Sequence, residues 1–274
     1  MNYFELYIPA PGSVESEIMM AELADLPFES FEQGETCLKA YIRADELETC
    51  RAAIDDFISA TGVQCSLTEI ETVNWNSLWE SNFIPVEVAG RCVIRAPFHP
   101  AKEGVELDLV ITPKMSFGTG HHATTWLMTS VILDLNLAGK RGLDMGSGTG
   151  VLAIAALKRG AAHMDAVDID QWAYENCLEN AEANSVSECI NPILGDATAI
   201  EGKLYDFILA NINRNILLAD MERYAGSLKE AGLMVVSGIL EKDIPAITDK
   251  ALTLSLLRTD TRMKDGWAAV SFIK

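Results

Sequence analysis

Basic residues are scarce in this sequence: 21 Lys and Arg stand against 40 Asp and Glu, which gives a net charge of −19. Such a surface repels the phosphate backbone, so the charge disfavours a nucleic-acid substrate and would attract a basic protein. The alternative is that the acidic balance only aids solubility. No apolar run approaches the ~20 residues that cross a bilayer, and the N-terminus lacks the basic start and apolar run of a signal peptide. These absences predict a cytoplasmic protein without a membrane segment.

Clustered metal ligands are also missing. The chain has only four His, and its six Cys are scattered without a C-x-x-C pair. Because tetrahedral metal sites need clustered ligands, we predict no bound metal. The cysteines are expected to be reduced and mostly buried thiols.

The first 72 residues are the most acidic part of the chain, with 15 Asp and Glu against 3 Lys and Arg, a net charge of −12. Their pattern is β-α-β-β-α-β, with a hairpin turn at Gly34 and a helix end at Gly62, which predicts a ferredoxin-like α+β domain. Such a domain carries no chemistry by itself. We therefore predict a substrate-recognition domain over 1–72, a bridge of one helix and short strands over 73–104, and a catalytic domain over 105–274.

Helices and short apolar strands alternate from about residue 124. This alternation predicts an α/β fold with a doubly wound, mainly parallel sheet. Residues 214–232 have the pattern of one long helix, and the chain ends on two strands that predict a terminal hairpin.

The segment "LDMGSGTG" is the strongest motif, with glycines at Gly146, Gly148 and Gly150. It leads from a strand into a helix, where glycines let the backbone approach a ligand closely. The spacing G-x-G-x-G differs from the G-x-G-x-x-G of dinucleotide folds. Asp144 precedes the first glycine, where a carboxylate suits a cation better than a phosphate; the alternative is a purely structural role.

Two further carboxylates follow neighbouring strands. Asp168 ends the second strand about 20 residues on, which is the place for gripping both hydroxyls of a ribose. Asp196 ends the third strand, where it can accept a hydrogen bond from the exocyclic amine of adenine. A ligand with adenosine at one end and a positive centre at the other fits these positions, and S-adenosyl-L-methionine is such a ligand.

These residues resemble a class I methyltransferase, with its Rossmann-like seven-stranded sheet, and the longer match is to the PrmA family. That family methylates ribosomal protein eleven of the large subunit. The resemblance runs over nearly the whole chain and is carried by Trp75, Trp79, Phe83, Pro85, "FGTGHHATT", "DMGSGTGVLAIAALKRGA", "VDID" and the "ANI" at 210–212.

The resemblance implies roles for particular residues. The loop before the first core helix would fold over the methionine end of the cofactor, with His122 ordering it through a hydrogen bond. The expected cofactor-binding residues are Thr125, Gly146, Gly148, Gly150, Asp168, Asp196 and Asn211. The expected catalytic residues are Asn211, Phe117, Thr119 and His122, and Gly118 and Gly120 complete the cover over the methyl group.

One segment departs from the family. Thr112-Pro113-Lys114 stands where the family has Asp-Pro-Gly, which removes a carboxylate and adds a cation near the expected sulfonium. The resemblance therefore makes no prediction about the contacts of these three residues with the cofactor.

The implied reaction is methylation of lysine ε-amines and of the N-terminal α-amine of the ribosomal protein. Another class I methyltransferase, acting on a different protein or on rRNA, is the alternative. An NAD-dependent dehydrogenase would explain Asp168 but not the glycine spacing or Asp196. A non-enzymatic regulator is disfavoured by the intact cofactor residues.

Overall fold

The computed structural model describes residues 3–9, 13–34, 36–62, 64–70, 84–114, 118 and 120–274. The chain divides into two compact units, Met1–Asn82 and Phe83–Lys274. No helix in the described ranges is long and apolar enough to cross a membrane.

The first unit is the predicted ferredoxin-like fold. Its elements are β1 (Tyr3–Pro9), α1 (Ser13–Leu23), β2 (Phe28–Gln33), β3 (Cys37–Arg43), α2 (Ala44–Thr61) and β4 (Ser66–Ile70). The strands pair antiparallel in the order β2-β3-β1-β4. Alternate residues of β3, such as Leu38 and Ile42, are fully buried in one core with Leu23 of α1 and Ile54 of α2. One face of the sheet is therefore covered by the two helices.

The turns of this unit lie where the sequence predicts them. The Gly34 amide donates to the Cys37 carbonyl (2.8 Å) and closes the hairpin between β2 and β3. Gly62 ends α2 with a φ of +66°, a left-handed conformation that glycine adopts without steric cost.

The second unit contains the larger sheet. Its strands are β5 (Val86–Val88), β6 (Cys92–Arg95), β7 (Leu107–Val110), β8 (Arg141–Met145), β9 (His163–Asp168), β10 (Ile190–Leu194), β11 (Tyr205–Asn211), β12 (Leu228–Leu240), β13 (Leu257–Lys264) and β14 (Trp267–Ile273). Its α-helices are α3 (Ala123–Asp134), α4 (Val151–Lys158), α5 (Gln171–Ala183), α6 (Arg214–Gly226) and α7 (Ile244–Thr253). Short 3-10 helices span Ser187–Cys189, Ala197–Ile200 and Glu241–Asp243.

The seven-stranded sheet has the order β10-β9-β8-β11-β12-β14-β13. Strands β8 to β12 are parallel, and β14 pairs antiparallel with both β12 and β13. Residues of α3, α4 and α5 pack in one core and those of α6 and α7 in another. The doubly wound, Rossmann-like architecture and the terminal hairpin are thus confirmed.

One segment differs from the sequence prediction. The long helix expected over 214–232 ends at Gly226, because buried Leu228 pairs with Tyr205 as the start of β12, and Ala231 has a φ of +57° that no helix accommodates. The short strands predicted in the bridge are β5 and β6. β6 pairs with β5 and with β7, and this sheet packs into the core of the second unit. The remainder of that bridge, 73–83, lies outside the described residues.

A buried carboxylate joins the strands at the amino-terminal edge of the large sheet. Asp165 on β9 accepts hydrogen bonds from the Tyr205 hydroxyl (2.7 Å) and the Asn191 amide (3.1 Å), and it pairs with Lys203 and Arg141. Burial by itself would raise the pKa of Asp165, but these hydrogen bonds and cations outweigh it and hold the pKa well below its usual range.

We expect Asp165→Asn to lower the free energy of unfolding at neutral pH by about 2–3 kcal/mol, since charged hydrogen bonds are lost. The carboxyl has a lower pKa folded than unfolded (about 3.9), so its contribution is complete above that value and is lost as the pH falls toward the folded pKa. Urea unfolding between pH 3 and 8 should therefore show that the native protein and Asp165→Asn differ less in free energy of unfolding below about pH 4 than above it. Exposed Asp249→Asn is the control. A constant difference at every pH would contradict this account.

Candidate active site

The carboxyl ends of four neighbouring strands form a cleft of about 590 Å³. Parallel pairing of β8 with β9 and β11, and of β9 with β10, brings these ends to one edge of the sheet. Five of the predicted cofactor-binding residues line this cleft: Gly146, Gly148, Asp168, Asp196 and Asn211. This is the edge at which ligands bind in doubly wound folds.

The glycine turn brings its backbone to the floor of the cleft. Gly146 has a φ of +69°, and its amide donates to the Val167 carbonyl of β9 (2.8 Å). A Cβ at Gly146 would lie 2.3 Å from Cγ2 of Ile212, so a side chain there would displace a residue of the cleft wall. Gly150, also at positive φ, packs instead against Cys177 and precedes α4. It is not among the described residues that line the cleft.

Asp168 joins two walls of the cleft. One carboxylate oxygen accepts a hydrogen bond from the Gly148 amide (2.8 Å), and the other accepts one from the Asp170 amide (3.0 Å). Asp170 in turn caps α5 by accepting the Trp172 amide (2.7 Å). A carboxylate can accept about four hydrogen bonds, so half-buried Asp168 keeps acceptor capacity toward the cleft.

Asp196 lies at the exposed rim of the cleft and caps the short helix that follows β10. It accepts the amide (2.9 Å) and the hydroxyl (2.6 Å) of Thr198. These hydrogen bonds lower the pKa of Asp196, so it is ionised at neutral pH.

Two of the predicted cofactor-binding residues have a buried oxygen without a hydrogen-bond partner among the described residues. One is Oδ1 of Asn211, which ends β11 and lines the cleft; the other is Oγ1 of Thr125 in α3. Thr125 itself is not among the described lining residues. An unpaired buried polar atom costs about 1–3 kcal/mol, so each oxygen is a natural acceptor or donor for a ligand.

Asp144 is not among the described residues that line the cleft. Its side chain is fully buried and one carboxylate oxygen accepts the Ala153 amide in the first turn of α4 (3.1 Å). Burial raises the pKa of Asp144 to about 7, against the lowering effect of the Ala153 amide, and the charge of Asp168 raises it further. The other carboxylate oxygen of Asp144 has no hydrogen-bond partner among the described residues, so contact with a ligand cation stays a prediction.

The segment before α3 is described at a few positions. Gly118 and Gly120 both have positive φ, +111° and +93°. His122 begins α3: its Nδ1 accepts the Thr124 amide (3.3 Å), and its ring packs edge-on against Trp267. Phe117 and Thr119 lie outside the described residues, as do Trp75, Trp79 and Phe83.

Lys114 is not an unpaired cation at the site. Its ammonium forms an ion pair with Glu179 on α5. Lys114 stands at the position of the glycine in the family's Asp-Pro-Gly. Its charge is neutralised by Glu179 on the surface of the helix.

One wall of the cleft is not predicted from the sequence. Residues that follow β11 and lie along α6 line it: Ile212, Asn213, Ile216, Asp220 and Tyr224. Asn213 caps α6 by accepting the amides of Asn215 and Ile216. The signal was the polar "NIN" after an apolar strand, which marks a helix start. Within the described ranges, no group of three or more His, Cys, Asp or Glu could hold a metal ion.

The sequence profile of the ribosomal protein L11 methyltransferases (PrmA) matches residues 12–274, which reach into both units. The chain belongs to this family. It is 45% identical over 261 residues to the ribosomal protein L11 methyltransferase of Porphyromonas gingivalis, covering 93% of this chain and 90% of that protein. The corresponding protein of Bacteroides fragilis is 40% identical over 280 residues and covers all of both chains.

A solved structure supports the same relationship. The ribosomal protein L11 methylase of Lactobacillus delbrueckii subsp. bulgaricus has a TM-score of 0.63 and 26% identity, covering 69% of this chain and 98% of that one. The cofactor is S-adenosyl-L-methionine. The close backbone approach at Gly146 and the unpaired oxygens of Asn211 and Thr125 fit such a group, which carries both polar and apolar parts.

We expect Gly146→Ala to destabilise the chain more than Gly202→Ala does. Both glycines have positive φ, which costs a non-glycine residue about 1–2 kcal/mol, but only at Gly146 does a methyl group meet a neighbour, Ile212; at Gly202 the space is open. Overpacking should add about 1–3 kcal/mol at Gly146. Urea unfolding measures this difference, and calorimetry should show weaker S-adenosylmethionine binding for Gly146→Ala alone. Equal effects of the two changes would contradict the geometry.

Proposed function

We propose that this chain transfers methyl groups from S-adenosylmethionine to ribosomal protein L11, on lysine ε-amines and on the N-terminal α-amine. The observation that carries the proposal is the family match, which reaches into both units. A cleft lined by five of the residues expected to bind the cofactor supports it. Because ribosomal proteins are made in the cytoplasm, we infer that the enzyme acts there.

The nucleoside end of the cofactor is assigned to Asp168, Asp196 and the glycine turn. Asp168 has acceptor capacity for ribose hydroxyls beyond its bonds to the Gly148 and Asp170 amides. Ionised Asp196 at the rim can accept a hydrogen bond from the exocyclic amine of adenine. Gly146 and Gly148 leave room for close approach at the floor, and Gly150 contributes by shaping the turn rather than by contact.

The methionine end is assigned to the side of the cleft near Asn211. The unpaired oxygens of Asn211 and Thr125 gain partners there, which removes the cost of leaving them buried and unsatisfied. By family position, Phe117, Gly118, Thr119 and Gly120 cover the transferred methyl group, and His122 holds the end of that segment to α3.

S-adenosylmethionine supplies a methyl group on a positively charged sulfur. The chain must present an uncharged amine, although a lysine in water has a pKa of about 10.4. Transfer of the amine into the cleft lowers its pKa through desolvation. Asn211 can then accept an N–H of the amine at Oδ1 and so direct the lone pair. Alignment of this kind contributes roughly 7–11 kcal/mol in favourable cases.

The first unit is suited to binding a basic protein. The face of its sheet opposite the helices carries Tyr41, whose hydroxyl donates to Glu32 (2.9 Å) and Glu5 (3.2 Å). Tyr3 donates in the same way to exposed Glu29 (2.6 Å). These bonds hold carboxylates at the surface of a region with a net charge of −12 from 15 acidic and 3 basic residues. Complementary charge accelerates association and selects the partner. The same charge disfavours direct reading of nucleic acid.

The function is tested by incubating the purified enzyme with labelled S-adenosylmethionine and either ribosomal protein L11 or naked rRNA. We expect label in L11, and mass spectrometry should place it on lysine and N-terminal amines. Label in rRNA only, or in neither, would refute the proposal. Asp168→Asn should lose about 1.5–3 kcal/mol of cofactor affinity for each ribose hydrogen bond weakened, whereas Asp249→Asn, an exposed acid on α7, should bind normally.

We expect the double change Glu29→Lys and Glu32→Lys to raise the KM for L11 about three- to tenfold while leaving kcat and cofactor affinity unchanged, because both acids are exposed on β2. The effect should shrink at high salt, since screening weakens exposed charges. The control is Glu230→Lys with Asp249→Lys, two exposed acids of the second unit that change the net charge equally. Equal effects of both pairs would show that only net charge matters.

A further inference from the structure

Three buried asparagines, two in α5 and Asn184 directly after it, bond to the backbone of residues 110–112, which lead toward the family's cover segment. Asn184 accepts the Val110 amide (3.0 Å) and donates to the Val110 carbonyl (2.6 Å). Asn180 accepts the Thr112 amide (2.8 Å), and Asn176 lies one turn earlier on the same helix. Strand β7 is the edge of the sheet β5-β6-β7, so these side chains take the place of a neighbouring strand.

Asn180 also holds the glycine turn. Its amide nitrogen donates to the Thr149 carbonyl (2.9 Å) and to Oδ1 of Asn176 (2.7 Å). Thr149 stands between Gly148 and Gly150 of the motif and is fully buried. One asparagine therefore connects the glycine turn to the backbone at Thr112.

Thr149 makes a second connection. Its hydroxyl donates to the Gly118 carbonyl (2.9 Å). Gly118 has a φ of +111°, and a Cβ there would lie 2.6 Å from Oγ1 of Thr149. The close approach of these two residues therefore requires glycine at 118. Thr112 and Gly118 are thus both attached to one pair of buried residues.

We propose that Thr149 and Asn180 are positioning residues for methyl transfer. They hold Thr112 and Gly118 at fixed distances from the glycine turn that receives the cofactor, although neither is among the described residues that line the cleft. This inference rests on the proposed function, which assigns Gly118 to the methyl end of the cofactor.

The physical reason is the sensitivity of displacement reactions to alignment. A shift of about 1 Å in a group that positions reactants can cost up to a hundredfold in rate. The proposed function assigns cofactor affinity to Asp168, Gly146 and Gly148, whereas the Thr149 hydroxyl bonds to the Gly118 carbonyl. Loss of the Thr149 hydroxyl should therefore change the rate of transfer more than the binding of cofactor.

Thr149→Val removes the hydroxyl at nearly constant size, and Thr149→Ser keeps it. Thr129→Val is the matched control, because Thr129 is also fully buried in the second unit and its hydroxyl has no partner among the described residues. We expect Thr149→Val to lower kcat for L11 about three- to tenfold, the size of one ordinary hydrogen bond. The Kd of S-adenosylmethionine should stay within about twofold, and Thr149→Ser and Thr129→Val should behave like the native protein.

A readout independent of activity is the carbonyl carbon resonance of Gly118. We expect it to respond to added S-adenosylhomocysteine in the native protein and in Thr149→Ser and Thr129→Val, and to lose that response in Thr149→Val. A native response in Thr149→Val, a native kcat in that variant, or equal losses in the Val and Ser variants would each overturn the inference. Failure of the native protein to methylate L11, with the resonance behaving as expected, would refute the proposed function alone.

Discussion

The parallel pairing of β8 with β9 on one side and β11 on the other is the constraint on which the site depends. It aligns Met145 with Val167 and with Ala210, so the residues that follow each strand emerge at one edge. The pairing needs a glycine in the middle of the sheet, because a Cβ at Gly142 would lie 2.2 Å from the ring of Phe207. The hydrogen bond from the Gly148 amide to Asp168 then locks the turn of one strand to the end of the next.

The polar groups around the cleft differ in how far the protein satisfies them. One carboxylate oxygen of fully buried Asp144 accepts a hydrogen bond from the Ala153 amide in the first turn of α4, and the other has no partner among the described residues. Asn211 and Thr125 are likewise buried with an oxygen for which the described residues provide no partner. An unpaired buried polar atom costs about 1–3 kcal/mol. A ligand that bonds to Asn211, which lines the cleft, removes part of that cost.

The two units differ in charge and in polarity. The first places tyrosine-bound glutamates on the face of its sheet opposite the helices. The second surrounds its cleft with apolar walls and a few convergent polar groups, the usual composition of a small-molecule site.

Local pattern was enough to predict both fold classes, the strand ends that bear Gly146, Asp168, Asp196 and Asn211, and the glycine turn. Strand alternation, helix periodicity and turn glycines are set by neighbours in the chain, and parallel strands then share an edge by geometry. The terminal hairpin followed from the same local rules.

Tertiary structure alone decided which side chains face the cleft and which support it. Asp144 bonds to the Ala153 amide in the first turn of α4, and the helix predicted over 214–232 ends at Gly226 because Leu228 pairs with Tyr205 in the sheet. The partnership of Asn180 with Thr112 and Thr149 joins residues distant in sequence. Such contacts depend on the orientation of packed elements, and periodicity along the chain carries no information about that orientation.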